Sequence, residues 1–176
     1  TKVFEENGKM GVKDAAGQVL VPAEFDEVGY TFMDHCKPLA VPVLKDGKFA
    51  LAAQDGKGTM LSGFEFDEIH YTPECCYILV KDGKKGLAMS NGSVVIPAQM
   101  DQVYTPFNGL ASFEKDGKSG FSMVYEGITT KAVYDDCEFE GDTYLEVVKD
   151  GVKGFIDSKG AFTTDEEDAY FGAFCQ

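Results

Sequence analysis

Short runs in which apolar and polar residues alternate recur along the chain, each broken by a glycine signal. Leu110, Ser112 and Glu114 alternate with Ala111 and Phe113 ahead of Lys115-Asp116-Gly117, and Gly120-Phe121-Ser122-Met123-Val124 follows. A period of two is the pattern of a strand with one buried face. Asp-Gly or Asn-Gly between two such runs predicts a type I′ hairpin, because both central residues of that turn need positive φ. The same reasoning predicts hairpins pairing residues 77–80 with 86–89 and residues 144–148 with 154–157. No long amphipathic helix is predicted, and residues 165–170 make one helical turn at most.

These hairpins are copies of one unit. Lys-Asp-Gly occurs at Lys45-Asp46-Gly47, Lys81-Asp82-Gly83, Lys115-Asp116-Gly117 and Lys149-Asp150-Gly151, with Glu6-Asn7-Gly8 as a relaxed first copy. A second glycine follows each at a near-constant distance, at Gly17, Gly56, Gly92, Gly127 and Gly160. An apolar-acidic pair comes next: Phe25-Asp26, Phe66-Asp67, Met100-Asp101 and Tyr134-Asp135, with Asp168 near the corresponding place in the fifth copy. The second glycine predicts a further reversal into a third strand, such as Val19-Leu20-Val21 or Val94-Val95-Ile96. Pro22 and Pro97 are expected to end that strand, since proline cannot donate to a ladder. An irregular connection then leads to the next copy.

A three-stranded unit cannot bury its apolar face alone, so copies must pack on one another. The expected fold is all-β: a tandem, solenoid-like open array of five β-hairpin units at about 1–38, 39–76, 77–109, 110–142 and 143–176. A closed barrel or propeller-like ring is the alternative, although propeller blades run to about 40–45 residues and these units are shorter. The final run Tyr170-Phe171-Gly172-Ala173-Phe174 reads as another strand, able to pair with a neighbour or to close a ring against Val3-Phe4-Glu5.

Composition narrows the partners. The 176 residues carry a formal charge of −14, and all 16 basic residues are lysine. An acidic chain without arginine repels nucleic acid and anionic lipid heads. No apolar run reaches the roughly 18 residues of a membrane span. The expected partner is another protein, with weak cation binding as a lesser expectation and no nucleic acid or membrane insertion.

The order of these motifs resembles the WG-repeat family of bacterial proteins, with its Lys-Asp-Gly-Lys-Trp-Gly, Gly-Lys, Pro, Tyr/Phe-Asp and Gly-Leu-Ala segments. The third copy is nearest, through Lys81-Asp82-Gly83-Lys84-Lys85-Gly86, Asn91-Gly92, Val95-Ile96-Pro97, Met100-Asp101 and Gly109-Leu110-Ala111. The family tryptophan is replaced in every copy, by Met10, Phe49, Lys85, Ser119 and Lys153, and Ala50 breaks the glycine set of Gly11, Gly86, Gly120 and Gly154. The resemblance implies a non-catalytic, often envelope-associated module; an envelope or secreted location is favoured and a cytoplasmic one remains the alternative. It implies no catalytic residue, cofactor or metal ligand.

Candidate chemistry is judged against turn chemistry. Asp46, Asp82, Asp116 and Asp150 lie beside turn glycines, one acid per turn, where a calcium loop needs several converging oxygens. Asp26, Asp67, Asp101 and Asp135 are expected to cap a turn after the third strand, and a row of them is the candidate cation or lysine site. His70, Cys75 and Cys76, with His35 and Cys36 in the preceding connection, match no familiar zinc spacing. Cys76 aligns with the apolar strand positions Leu110 and Tyr144 and is expected in the core. The five cysteines (Cys36, Cys75, Cys76, Cys137, Cys175) are expected to be mostly thiols, with a Cys36–Cys75 disulfide as an alternative. A hydrolytic acid pair would need non-repeating residues such as Glu65 and Glu138, which nothing singles out.

The expected function is therefore a non-enzymatic binding or scaffold module. A ligand-binding or hydrolytic protein with a pocket between copies is the alternative. Sites in repeat arrays lie where copies differ. That points to the inserts at residues 30–37 and 70–77, and so to Tyr30, Phe32, His35, His70, Tyr71 and Tyr77, although each aromatic is equally a candidate for burial.

Overall fold

A computed structural model describes residues 1–29, 39–107, 109–140 and 144–170; side chains at 138–140 and 144 are not among those described. The fold is all-β, a tandem series of five small antiparallel sheets. None of the five closes into a barrel. Two compact units divide the chain, Thr1–Val94 and Val95–Gln176.

In the first unit, β1 (Lys2–Glu6), β2 (Lys9–Lys13) and β3 (Val19–Phe25) form the first sheet. The second contains β4 (Glu27–Val28), β5 (Ala40–Lys45) and β6 (Lys48–Ala53). Next come β7 (Glu68–Tyr71), β8 (Cys76–Lys81) and β9 (Lys84–Met89), joined as an antiparallel meander. β10 (Val94–Met100) follows, and the second unit begins within it at Val95. Its fourth sheet holds β11 (Gln102–Val103), β12 (Leu110–Lys115), β13 (Lys118–Met123) and β14 (Ile128–Thr129). Its fifth holds β15 (Asp136–Glu140), β16 (Tyr144–Lys149), β17 (Val152–Ile156) and β18 (Phe162–Thr163). One 3-10 turn, Glu166–Asp168, follows.

The hairpin turns have the backbone the sequence requires. Asn7, Asp46, Asp82, Asp116 and Asp150 have φ between 51° and 53°, and each following glycine is also positive. Two successive left-handed residues define the I′ turn, and its twist matches that of the flanking strands.

Two expectations change. Pro22 and Pro97 lie inside β3 and β10 instead of ending them. The β2–β3 ladder shifts register between Met10 and Val12 and again between Val12 and Lys13, and a proline fits where the ladder is already interrupted. The connection after each apolar-acidic pair is also not irregular at its start. Its first residues are β4, β7, β11 and β15, which pair with the outer edge of the following hairpin, β5, β8, β12 and β16 respectively.

The acid of each pair fixes that junction. Asp26 N–H donates to the Leu44 carbonyl at 2.8 Å, while its Oδ2 accepts the Asp46 turn N–H at 3.0 Å and its Oδ1 accepts Lys9 at 2.5 Å. Asp67 repeats this with the Val80 carbonyl, the Asp82 N–H and Lys48. In the second unit, Asp101 donates to the Glu114 carbonyl and accepts the Asp116 N–H. Asp135 donates to the Val148 carbonyl and accepts the Gly151 N–H and Lys118. One carboxylate thus joins the lysine of its own hairpin to the turn of the next. The fifth copy differs: Val152 stands at the lysine position, and Asp168 donates within the 3-10 turn to the Asp165 carbonyl.

Packing between successive sheets supplies the core. In the first unit, Val12, Val21 and Phe25 of the first sheet meet Val28, Val41, Val43, Ala50 and Ala52 of the second. In the second unit, Leu110, Phe121 and Met123 meet Leu145, Val147 and Ile156, with Tyr134 between them. This is how a sheet too small to bury its own face becomes stable. The motif glycine permits close crossing of strands: a Cβ at Gly11 would lie 2.6 Å from the Val21 carbonyl oxygen. Ala50 is tolerated because the third strand of its copy is reduced to isolated bridges, Phe49 to Phe66 and Ala52 to Met60.

Candidate functional site

The hairpin of β7 and β8 carries three of the expected site residues. Strand alternation sends them to different environments. His70 faces outward, with its Nε2 2.6 Å from Glu68 Oε2 two residues back on the same face, and both side chains are well exposed. Tyr71 and Tyr77 are cross-strand partners on the opposite face, with ring centroids 5.0 Å apart. Tyr77 is 1% exposed, and its hydroxyl donates to the Ala40 carbonyl at 2.7 Å. It is a core residue, not a surface ligand contact, and burial pushes its phenol far above the ordinary value. The Tyr71 hydroxyl is buried without a hydrogen-bond partner among the described residues, and desolvation raises its pKa. Tyr30, Phe32, His35 and Cys36 lie outside the described residues.

The cysteines of this hairpin split in role. Cys76 is fully buried, as expected from its strand position, with its Sγ 3.0 Å from Thr72 Oγ1. Burial raises its thiol pKa, which disfavours the thiolate needed for reactivity. Cys75 occupies the last place of the tight turn at φ 61° and donates its N–H to the Thr72 carbonyl. It is disulfide-bonded, the alternative weighed for this cysteine.

A second site, in the second unit, was not anticipated. A cavity of about 430 Å³ opens over the β12–β13 hairpin. Pro97, Met100 and Phe113 provide its apolar wall, and Lys115, Lys118 and Lys131 line it with a single acid, Asp116. Lys118 is neutralised by Asp135, which accepts its hydrogen bond and raises its pKa. Neither Lys115 nor Lys131 has an ion-pair partner among the described residues. The lining hydroxyls are already committed: Thr129 Oγ1 donates to the Val95 carbonyl and Thr130 Oγ1 accepts the Phe121 N–H. The groove therefore offers an apolar wall and two available cations. Only Lys131 could have signalled it in sequence, as a lysine outside the repeating turn positions.

Part of the fourth sheet also belongs to a segment that matches a known family. Residues 90–118 match the family model of the WG containing repeat. The matched stretch runs from the Asn91-Gly92 reversal through β10, β11 and β12 to the Asp116-Gly117 turn, and so includes the Asp101–Asp116 junction.

Over that segment the chain is similar to a WG repeat.

No curated protein matches the chain. The turns and acid junctions of the other copies have the same geometry as those of the matched segment. In two copies an aromatic from another position lies against the WG-motif glycine: Phe113 against Gly120 and Phe162 against Gly154. Residue 119, where the family has tryptophan, is a serine bridged to Tyr134.

Proposed function

We propose that this WG-repeat chain is a non-enzymatic binding module, and that the groove over β12 and β13 receives an acidic segment of a protein partner. The observation that carries this reading is the pairing of an apolar wall with Lys115 and Lys131, two cations without ion partners among the described residues, in a chain of charge −14. Charge complementarity selects a carboxylate-bearing segment, and the Met100–Phe113 wall favours an aromatic or aliphatic anchor within it. The junction acids and the lysines paired with them support the same reading, because they are engaged in joining hairpins and leave recognition to other side chains.

The test uses a fluorescein-labelled peptide alternating Glu with Phe, and a counterpart alternating Lys with Phe. Saturable binding of the acidic peptide alone, weakened about tenfold by Lys131→Glu, is the expected result. Equal binding of both peptides, or no loss in Lys131→Glu, overturns the groove assignment. Hydrolysis of chromogenic ester or glycoside substrates by the purified chain would overturn the non-enzymatic reading.

A further inference from the structure

At two junctions between successive copies an aromatic ring lies over the apolar residue of the apolar-acidic pair. In the first unit Phe64 lies against Phe25, with ring centroids 6.2 Å apart, and packs on the core shared by the first two sheets. In the second unit Phe162 lies against Tyr134 at 6.5 Å, and the Lys149 ammonium stands 5.8 Å from the centre of the Phe162 ring. Met100 is the apolar residue of the pair where the third copy meets the fourth, and it lines the groove.

Hydrogen bonds identify which side chain differs there. Ser62 Oγ accepts the Leu51 N–H, and the Ser62 N–H donates to the Leu51 carbonyl. Thr130 makes the same pair of bonds with Phe121. Further along, the Phe66 N–H donates to the Phe49 carbonyl and the Tyr134 N–H to the Ser119 carbonyl. With both ends matched, the residues between them correspond one to one: Lys131 to Gly63, Ala132 to Phe64 and Val133 to Glu65. The groove is therefore lined by a methyl group at the position of the Phe64 ring, with a lysine beside it. Phe113 replaces Val43 on the facing strand, and its ring lies over Gly120, where a Cβ would be 2.4 Å away. That ring floors the cavity without filling it, since about 430 Å³ remains. Lys115 corresponds to Lys149, each standing just before the Asp-Gly of its turn.

We infer that the groove is a seat for one aromatic side chain of the partner, resting on Met100 and Phe113 beneath the Lys115 ammonium, with a carboxylate of the same segment paired to Lys131. The inference rests on the reading of the groove as the site for an acidic segment, and it names the anchor of that segment. The chain supplies both templates: Phe64 for the position of the ring and Lys149 over Phe162 for the cation above it. Lys115 has no ion-pair partner among the described residues and so is available to a ring face. Leucine would bury apolar area in the same place, but it has no π face for the cation and no ring edge for the Met100 thioether.

The experiment titrates the whole chain into fluorescein-labelled peptides that alternate Glu with Phe or Glu with Leu. A preference of about fivefold for the Phe peptide is expected, and it should vanish in Lys115→Met, which keeps an apolar stem and removes the charge. Ala132→Phe, which restores the Phe64 side chain, should weaken the Phe peptide about tenfold while the urea midpoint stays at or above that of the wild type. Equal affinity for the two peptides, with both weakened by Lys131→Glu, would overturn the ring seat and leave the acidic-segment reading standing. Binding of neither peptide would overturn both. Undiminished binding to a folded Ala132→Phe variant would also sink the ring seat; if that variant does not fold, Lys115→Met decides, and a Phe preference that persists in it overturns the inference.

Discussion

Asp67 accepts the backbone N–H of Asp82, fifteen residues on, at 2.7 Å, and holds Lys48 at 2.5 Å with its other oxygen. The family signature and the aspartate pair are thus two halves of one joint. Its pH dependence follows. The Asp26, Asp67 and Asp135 carboxyls are held below their ordinary value of 3.8, first by the lysine hydrogen bond and then by the turn amide. A depressed folded pKa gives stabilisation that is complete above the unfolded value and lost as pH falls through the folded one. Lys9, Lys48 and Lys118 are raised above 10.5, so their contribution is complete below that value and lost as pH rises through the folded one. Urea midpoints should be flat from about pH 5 to about pH 9 and fall on both sides. Asp67→Asn should lower the midpoint and shallow the acid limb, and salt should weaken the effect because these side chains are well exposed.

Gly11→Ala should destabilise the first unit by about 1–3 kcal/mol, measured by urea unfolding. Its Cβ would press on the Val21 carbonyl oxygen and the Ala23 nitrogen, which are backbone atoms and cannot rotate away. A wild-type midpoint would show that β3 can shift to make room.

Tyr77→Phe should cost about 1–3 kcal/mol in the same measurement. The hydroxyl it removes donates to the Ala40 carbonyl in a fully buried setting, and the ring stays in place. Tyr71→Phe should be neutral or stabilising, because its buried hydroxyl has no described partner.

Thiol labelling should separate the described cysteines. Under native, non-reducing conditions iodoacetamide should modify the partly exposed Cys137 before the buried Cys76, whose thiol pKa is raised by desolvation. Cys75 should label only after reductant. Peptide mass spectrometry reads all three, and early labelling of Cys76 would show that its strand opens readily.

His70→Ala should change stability by less than about 0.5 kcal/mol by thermal unfolding, since the His70–Glu68 pair is exposed on a strand surface. A larger loss would mean that the pair organises the 72–75 turn.

Much of the fold was legible because its determinants are local. Asp-Gly between alternating runs dictates a turn with two positive φ values, and that requirement acts within four residues. Cys76 was placed in the core by counting along one strand, which needs only the period of two. Pro22 misled, because whether a proline ends a strand or sits at its bulge depends on the partner strand. The groove stayed hidden for a similar reason: Pro97, Lys115 and Lys131 meet through folding, with no spacing that announces it.

By itself the sequence determined five hairpins, their turns and their order, since each rests on φ preferences and side-chain alternation close along the chain. Only tertiary structure decided what the repeated aspartates do. Their partners lie on another hairpin, fifteen to twenty residues away, so their role exists only once the sheets pack. The same packing settled the two faces of the β7–β8 hairpin, burying Tyr77 beneath Ala40 while leaving His70 in solvent. Burial is a property of neighbours, and those neighbours are supplied by other copies of the unit.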